Sequence, residues 1–284
     1  MLWSRFLKAF LFPMPRGLPF PDIDPVLIQL GPVALHWYGL AYIVGLLGGW
    51  AYMLRLVGGA QWPHKHFGRA ACDDSLLWMT LAVIIGGRLG YVVFYNLEFF
   101  LAHPREIVAI WHGGMSFHGG LLGVIATAMI LARAYKVPLL ALGDLLAAVA
   151  PIGLFFGRLA NFINAELWGR VTDMPWGVRF PNAGPLPRHP SQIYEALLEG
   201  LVLFLVVNYA LHYRQALKRR GMLSGIFLVG YAAARMGVAQ WRAPDAHIGL
   251  VWNNTLGFWL SAPMLLLGAW LIWRAARTPH AKSA

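Results

Sequence analysis

Seven long apolar stretches alternate with short polar connections along the chain. A helix needs roughly 20 mostly apolar residues to cross a bilayer, and each stretch approaches or exceeds that length. The predicted spans are Val33–Leu54, Leu76–Tyr95, Phe117–Ala134, Leu139–Ile163, Ile193–Leu211, Met222–Gln240 and Gly257–Trp273. The pattern therefore predicts an all-α integral membrane protein with seven transmembrane helices in a single bundle.

Composition agrees with a membrane protein. Only 12% of the residues are charged and 58% are hydrophobic, whereas soluble domains carry about 25% charged residues. The formal net charge of +11 would suit nucleic acid, but the basic residues are spread over the loops between apolar spans. That distribution is typical of a protein oriented in a membrane with anionic lipid, so we expect membrane lipids and no nucleic acid as partners.

Lysine and arginine are more numerous in one alternating set of loops than in the other. The richer set follows the first, third, fifth and seventh spans, and the positive-inside rule places it in the cytoplasm. The N-terminus is then outside and the C-terminus inside. The predicted organisation is an interfacial arm (residues 1–32), a seven-helix domain (33–274) and a cytoplasmic tail (275–284). Met1–Phe12 is interpreted as an interfacial segment, since no small-residue cleavage site follows it.

The chain contains a single cysteine, Cys72, which excludes an intrachain disulfide bond. It falls in a predicted polar connection, without metal-ligand spacing around it. We interpret it as incidental rather than as a nucleophile.

Ionisable residues fall inside the predicted spans. Three of them are arginines, at Arg88, Arg158 and Arg235. Charged groups at membrane depth are costly and normally mark a functional site, and guanidinium groups suit phosphate. Glutamates on the predicted helices can neutralise some of this charge, and an anionic phospholipid headgroup would satisfy the rest.

The densest polar stretch runs from Gly157 to Arg170, where the fourth apolar span ends. Arg158 and Asn161 are three residues apart and share a helical face, and Glu166 and Gly169 follow. A single arginine there would suit an anchor that snorkels to the headgroups. The density of polar groups favours a binding site instead.

Several of these features also have a purely structural explanation. Glycine-rich stretches in membrane helices usually allow close helix packing, and Glu195 and Glu199 could pair with arginines to fix the fold. Asp144 could cap a helix or pair on the cytoplasmic side. The glycine pairs on both sides of His118 suggest more, because glycine lets the backbone approach a ligand and frees amide donors.

Five motifs together resemble the bacterial prolipoprotein diacylglyceryl transferases, over nearly the whole chain from about Phe20 to Arg274. In chain order they are His36-Trp37-Tyr38-Gly39, Gly87-Arg88-Leu89-Gly90, Gly113 to Gly120, Gly157 to Arg170, and His189-Pro190-Ser191-Gln192 with Tyr194-Glu195. The family's turn after the sixth helix is matched by Arg242, Pro244 and Asp245. The resemblance implies seven transmembrane helices with a small periplasmic head, in the bacterial inner membrane.

The resemblance also implies an activity. The family transfers a diacylglyceryl group from phosphatidylglycerol to the lipobox cysteine of a preprolipoprotein signal peptide, and glycerol 1-phosphate leaves. Arg158 and Arg235 would hold the phosphate, and His118 would help to deprotonate the thiol. No metal or organic cofactor is implied. The residues matching substrate-binding positions are Tyr38, Arg88, Asn161, Glu166, Gly169 and Tyr231.

Four positions depart from the family pattern. The family usually has Gly at Ala160 and at Ala165, Glu at Ala239 and Gln at Phe258. The acid missing four residues after Arg235 matters most, because removing one partner of a buried charge pair costs several kcal/mol. We expect another acid, Glu199 or Glu166, to replace it.

Two other functions are compatible with parts of the sequence. The four departures would suit a degenerate paralogue that binds phospholipid or signal peptide with little or no turnover. Buried charges alone would also suit a transporter or channel. That class predicts repeats with broken helices at matching positions, and no internal repeat is evident in the sequence.

Overall fold

The structure is a computed structural model that describes residues 17–24, 26–31, 33–244, 249 and 251–278. The predicted interfacial segment Met1–Phe12 and Asp245 of the predicted turn lie outside these residues. The helices within them are α1 (Trp37–Gly58), α2 (Arg69–Tyr95), α3 (Leu97–Ala102), α4 (Phe117–Ala134), α5 (Leu139–Ile163), α6 (Ser191–Tyr213), α7 (Met222–Val238) and α8 (Leu256–Arg277).

The helices α1, α2, α4, α5, α6 and α8 are long and apolar enough to cross a membrane. Helix α7 is apolar but shorter, at 17 residues. The prediction of an all-α, multi-pass membrane protein is therefore confirmed. For α4 and α5 the predicted spans coincide with the observed helices.

The first predicted span is wrong at its beginning. Val33–His36 forms strand β3, which pairs antiparallel with β2 (Val26–Leu30), and α1 begins only at Trp37. Gly31 lies between the strands with φ +58°, a left-handed conformation that glycine adopts without steric cost. The three apolar residues before His36 are too few for their period to separate a strand from a helix, so the sequence prediction included them in the following helix.

The second predicted span begins too late. Helix α2 starts at Arg69 rather than at Leu76, because the polar residues in between continue the helix. Cys72 therefore lies in the first turn of α2 and is fully buried, not in a polar connection as predicted.

The described residues form two compact units. The first contains the described parts of Met1–Gly45, Pro151–Val206 and Phe227–Ala269, and the second those of Leu46–Ala150, Val207–Ile226 and Trp270–Ala284. Several of the long helices contribute residues to both units.

In the first unit, the residues after α5 fold around an aromatic cluster. Strand β1 (Leu18–Pro19) pairs in parallel with β4 (Val178–Arg179). Beside this pair, the ring centroid of Phe20 lies 5.4 Å from that of Phe162 and 5.5 Å from that of Phe180. A small folded region thus accompanies the helices, as the resemblance predicted.

In the second unit, glycines bring α2 and α4 into backbone contact. A Cβ on Gly90 would lie 2.7 Å from Gly119 Cα, and a Cβ on Gly86 would lie 2.5 Å from Gly119 O. Such small-residue contacts are the usual way in which membrane helices approach closely. The structure thus gives Gly119, next to His118, a packing role, and an approach of this backbone to a ligand stays a prediction.

Asp144 of α5 caps the beginning of α7, one of the two roles considered for it. Its Oδ2 accepts from the Gly221 N–H at 2.7 Å, and its Oδ1 accepts from the Ser224 N–H at 2.8 Å. A carboxylate at a helix N-terminus accepts hydrogen bonds from free N–H groups and interacts favourably with the positive end of the helix dipole. The start of α7 is therefore fixed to α5.

Candidate functional site

The charged groups of the first unit converge on Glu195. Its carboxylate contacts three arginines that come from α5, α7 and the segment after α7. Arg158 Nη1 lies 3.2 Å from Oε2, and Arg242 Nη1 lies 2.8 Å from Oε1. Arg235 Nη1 contacts the same Oε1. We call Arg158, Glu195, Glu199, Arg235 and Arg242 the arginine–glutamate cluster.

Glu199 supplies the second negative charge of the cluster. Its Oε2 accepts from Arg158 Nε at 3.2 Å and from Arg158 Nη2 at 3.1 Å. Both glutamate side chains are fully buried, whereas Arg158 and Arg235 each keep 17% of their side-chain surface exposed. Three arginines therefore face two glutamates, which leaves a surplus of one positive charge within the cluster. A buried charge needs a partner, so the site suits an anion.

The helix carrying both glutamates has an unusual local geometry. Residues Ala196–Val202 form a π-helical segment within α6, and such segments often occur at functional sites. Gly200 lies in this segment against α5, where a Cβ would be 2.6 Å from Phe155 Cβ. The absence of a side chain at Gly200 thus lets α6 approach α5, which brings Glu199 to Arg158.

The end of α5 carries a second polar group. Asn161 Nδ2 donates to Glu166 Oε1 at 2.6 Å, and Tyr38 lies within electrostatic range of Glu166. The Tyr38 hydroxyl also lies 3.2 Å from that of Tyr42. The structure therefore brings three of the predicted substrate-binding residues together.

The chain reverses sharply between Asn161 and Gly169. Ala165 and Leu167 have φ values of +52° and +58°, in the left-handed region. The turn is held by the motif that begins at His189: the Gln192 amide donates to Glu166 O at 2.5 Å, and Ser191 Oγ donates to Leu167 O at 3.0 Å. Both side chains are fully buried, and this positioning role was not predicted.

Gly169 occupies a position where no side chain fits. Its N–H donates to His189 O at 2.8 Å, and a Cβ would lie 2.6 Å from that oxygen and 2.5 Å from Trp241 O. Gly169 thus permits two neighbouring segments to contact the loop after α5. The predicted place of Gly169 in the substrate site stays a prediction.

His189 itself is partly buried beside aromatic residues. Its Nδ1 lies 3.1 Å from the Tyr194 hydroxyl, which accepts from Trp176 Nε1 at 2.7 Å. Burial lowers the pKa of His189, and Asp173 opposes this shift. The imidazole is therefore neutral near neutral pH and serves as a hydrogen-bonding group in this region.

The partner of Arg235 differs from the predicted one. We expected Glu199 or Glu166 to replace the acid missing at Ala239, but Glu195 pairs with Arg235. Glu199 is held by Arg158 and Glu166 by Asn161. Glu195 and Glu199 are four residues apart on one helix, and this spacing was the signal that they could act together.

Two further residues of the first unit, Tyr231 and Arg242, lie among these charged groups. Tyr231 lies within electrostatic range of Arg158, Arg235 and Glu199, consistent with its predicted place beside the arginines. Burial lowers the pKa of Arg242, and the carboxylate of Glu195 opposes that shift. Arg242 was predicted only as part of a turn, and its contact with Glu195 makes it a member of the cluster.

Arg88 lies in the second unit, and its hydrogen-bond partners are backbone carbonyls instead of carboxylates. Its residue surface is only 5% exposed, and its guanidinium lies 5.1 Å from the Phe100 ring centroid. An arginine has five N–H donors, and five backbone carbonyls accept from them. The acceptors belong to Glu106, Ile107, Ala109, Gly113 and Gly114. Arg88 was predicted to bind substrate, but with these bonds formed no N–H is left for a phosphate.

His118 also lies in the second unit, at the second residue of α4. Ser116 caps this helix by accepting from the Gly119 N–H at 3.2 Å. The His118 side chain is exposed, and its ring meets that of Phe117 with centroids 5.6 Å apart. The other predicted site residues belong to the first unit.

The sequence is similar to one family of known proteins. The sequence matches the family model described as "Prolipoprotein diacylglyceryl transferase" over residues 25–274. Three curated relatives are each named phosphatidylglycerol–prolipoprotein diacylglyceryl transferase. That of Rhodospirillum rubrum is 54% identical, covering 89% of this chain and 92% of the relative. That of Rhizobium meliloti is 52% identical, covering 91% and 94%, and that of Phenylobacterium zucineum is 51% identical, covering 93% and 97%.

These matches include every motif on which the resemblance was based, and they extend over residues of both compact units. They give no support to a degenerate paralogue or to a transporter. With a family model matched over most of its length and relatives that share about half of its residues, the chain belongs to the prolipoprotein diacylglyceryl transferase family.

Proposed function

We propose that this chain transfers the diacylglyceryl group of phosphatidylglycerol to the lipobox cysteine thiol of preprolipoproteins. In this reaction the cysteine sulfur forms a thioether bond to the glycerol carbon that carries the phosphate. The carbon–oxygen bond to that phosphate breaks, and glycerol 1-phosphate leaves with the bonding electrons. The thiol proton passes to a base, so atoms and charge balance without a cofactor.

The arginine–glutamate cluster is the observation that carries this proposal. Its surplus positive charge is buried beside apolar helices, where a lipid phosphate can enter while its acyl chains stay in hydrocarbon. Arg158 and Arg235 are the members that keep the most exposed side-chain surface, 17% each against 9% for Arg242. We assign to these two the binding of the phosphodiester and of the negative charge that grows as glycerol phosphate departs.

His118 is the proposed base for the thiol. A cysteine has a reference pKa of about 8.5, so modest help from a base or from nearby cations is enough to form the thiolate. The exposed imidazole of His118 can meet an incoming peptide. The transfer rate of a His118 variant tests this role independently of the phosphate assignment.

The remaining predicted residues have supporting roles in this proposal. Tyr38, Asn161 and Glu166 present hydroxyl, amide and carboxylate groups to the glycerol headgroup, and Tyr231 lines the phosphate side. Gly169 keeps the loop after α5 in place. Arg88 acts indirectly, because its donors hold the backbone between Glu106 and Gly114.

The location of the protein is part of the proposal. We place it in the bacterial inner membrane, with the N-terminus and the small folded region in the periplasm and the C-terminus in the cytoplasm. The excess of Lys and Arg in alternating connections supports this orientation. The arm of residues 1–32, the domain of residues 33–274 and the tail of residues 275–284 remain predictions.

The decisive experiment reconstitutes the purified full chain with phosphatidylglycerol and a lipobox peptide. We expect glycerol phosphate and a peptide whose cysteine has gained one diacylglyceryl group, both measured by mass spectrometry. A peptide with serine in place of the cysteine is the control and should remain unmodified. Bound phosphatidylglycerol without either product would instead indicate the degenerate paralogue.

Variants test the assigned roles in the same assay. Arg235→Ala should lower the rate by about 10²- to 10³-fold, the usual loss when a group that stabilises transition-state charge is removed. The matched control is Arg133→Ala, because Arg133 is exposed at the end of α4. His118→Gln should lower the rate by about 10²-fold near neutral pH, with less effect at high pH, where the thiol ionises by itself. Normal activity of Arg235→Ala would refute the phosphate assignment.

A further inference from the structure

The connection between α6 and α7 forms a basic cavity that the proposed reaction does not use. Its volume is about 560 Å³. Its walls include Tyr213 at the end of α6, Arg214 and Arg219 in the connection, and Met222 and Ile226 in the first turns of α7. All of them belong to the second compact unit. Two cations thus share a cavity with apolar side chains at the ends of two apolar helices.

The backbone of this connection has a defined conformation. Gln215 follows α6 with φ +51°, a 3-10 turn covers Ala216–Lys218, and Gly221 with φ +89° leads into α7. The carboxylate of Asp144 then accepts the N–H groups of Gly221 and Ser224. The arginines are therefore carried by an anchored turn, and the charge of Asp144 is engaged at the start of α7.

The cations of this turn lack acidic partners. Among the residues that the structure describes, no salt bridge involves Arg214, Lys218, Arg219 or Arg220. The Nε atom of Arg219 is buried, and none of the described residues accepts a hydrogen bond from it. Because a buried donor without an acceptor costs free energy, an anionic oxygen in the cavity would stabilise this turn.

The surroundings suit a lipid rather than a soluble anion. The rings of Tyr209 and Tyr213 stack with centroids 5.3 Å apart, and both residues are exposed. Exposed tyrosines at helix ends are typical of the membrane–water interface, where basic pockets between helices bind phospholipid headgroups. Met222 and Ile226 offer an apolar surface for an acyl chain beside the two arginines.

We propose that this cavity binds the phosphate group of an anionic phospholipid, with Arg214 and Arg219 as its ligands. The acyl chains lie along the first turns of α7. The lipid is retained there and is not consumed, so this site is separate from the arginine–glutamate cluster. The inference does not rest on the proposed transfer reaction.

Lipid binding to matched variants tests this site. The variant Arg214→Gln/Arg219→Gln removes both ligands, and the control Lys218→Gln/Arg220→Gln removes the same charge from the same turn outside the cavity walls. The full chain in detergent is titrated with phosphatidylglycerol, with phosphatidylcholine of the same acyl chains, and with inorganic phosphate. Native mass spectrometry counts bound lipids, and thermal unfolding reports the stabilisation.

We expect the cavity variant to bind phosphatidylglycerol about tenfold more weakly than the wild type, and the control to stay within about threefold. Phosphatidylglycerol bound at the arginine–glutamate cluster gives the same background in all three proteins. An equal loss in both variants would overturn the proposal, because the cations would then act only as diffuse charge. Equal stabilisation by inorganic phosphate or by phosphatidylcholine would overturn the assignment to an anionic lipid.

A single variant keeps the test valid if the double variant fails to fold. Arg214 is exposed, so Arg214→Gln should leave the fold intact and still weaken phosphatidylglycerol binding. Unchanged binding by this variant would also overturn the proposal. Transfer activity of the wild type in the same preparations reports only on the proposed function, so the two proposals can fail separately.

Discussion

Arg88 and Arg158 both belong to long apolar helices, yet their guanidinium groups are satisfied in different ways. Arg88 gives all five N–H donors to neutral backbone carbonyls between Glu106 and Gly114. Arg158 contacts two carboxylates, those of Glu195 and Glu199, and Glu195 is shared with further arginines.

The difference separates an arginine whose donors are all used within the fold from one that we propose to serve the reaction. Carbonyl acceptors use the donors of Arg88 to fix the shape of a loop, and nothing remains to bind a ligand. The carboxylates around Arg158 are too few for the arginines they serve, so the cluster retains positive charge for an anion. Depth in the membrane, which led us to expect a functional site at both positions, does not distinguish them.

The largest expected effect is on the shared carboxylate. Glu195→Gln leaves three arginines with a single glutamate, and breaking a buried charge network in this way costs about 3–5 kcal/mol. Glu199→Gln is the matched variant and should cost less, because among the described residues Glu199 forms a salt bridge with one arginine, Arg158, whereas Glu195 forms three. The free energy of unfolding in mixed detergent measures both. An equal or smaller loss for Glu195→Gln would show that Glu195 is not the centre of the cluster.

The next effect concerns catalysis rather than stability. Arg158→Lys keeps the charge but cannot contact two carboxylates and a phosphate with one planar fork. We expect transfer to slow by about 10²- to 10³-fold while the unfolding free energy changes less. A steady-state transfer assay with phosphatidylglycerol and lipobox peptide measures the rate. Near-normal transfer would mean that Arg158 serves the fold, as Arg88 does.

The same substitution at Arg88 should produce the opposite pattern. Lysine has three donors, so Arg88→Lys loses at least two of the five hydrogen bonds, and each bond from a charged group contributes about 1.5–3 kcal/mol. We expect faster amide hydrogen exchange between Glu106 and Gly114 and a lower unfolding free energy. Transfer per folded molecule should fall less than for Arg158→Lys. A greater fall in transfer for Arg88→Lys would indicate that Arg88 binds substrate, as first predicted.

Much of this comparison was accessible from the sequence. The lengths of apolar segments located α4 and α5 to the residue, and the motif order identified the family. Three predicted substrate-binding residues, Tyr38, Asn161 and Glu166, lie together in the structure. The helix bounds and the family were predicted correctly because they depend on local pattern or on motifs that a whole family shares.

The contacts that distinguish Arg88 from Arg158 could not be predicted from the sequence. The acceptors of Arg88 are backbone carbonyl oxygens. Every residue carries one, so the pattern of side chains does not predict which of them accept. The pairing of Arg235 with Glu195 depends on how three helices pack and on the π-helical segment of α6. Strand β3 was missed because its three apolar residues fit a strand or a helix equally well.

The smallest expected effect is on stability and concerns the backbone that supports the arginine–glutamate cluster. Ala160 and Ala165 both stand where the family usually has glycine, and both are buried. Ala160 is helical within α5, so Ala160→Gly should lower stability by about 1 kcal/mol. Ala165 has φ +52°, a left-handed conformation that costs a non-glycine residue roughly 1–2 kcal/mol.

Ala165→Gly should therefore raise the unfolding free energy by about 0.5–1 kcal/mol, since relief of the backbone exceeds the loss of one buried methyl group. Thermal unfolding of the two variants in the same detergent compares the signs directly. Neither change touches Arg88, so amide exchange between Glu106 and Gly114 should stay at the wild-type rate in both. Destabilisation by Ala165→Gly equal to that by Ala160→Gly would show that the methyl group packed beside Phe180 matters more than the strained turn that carries Glu166.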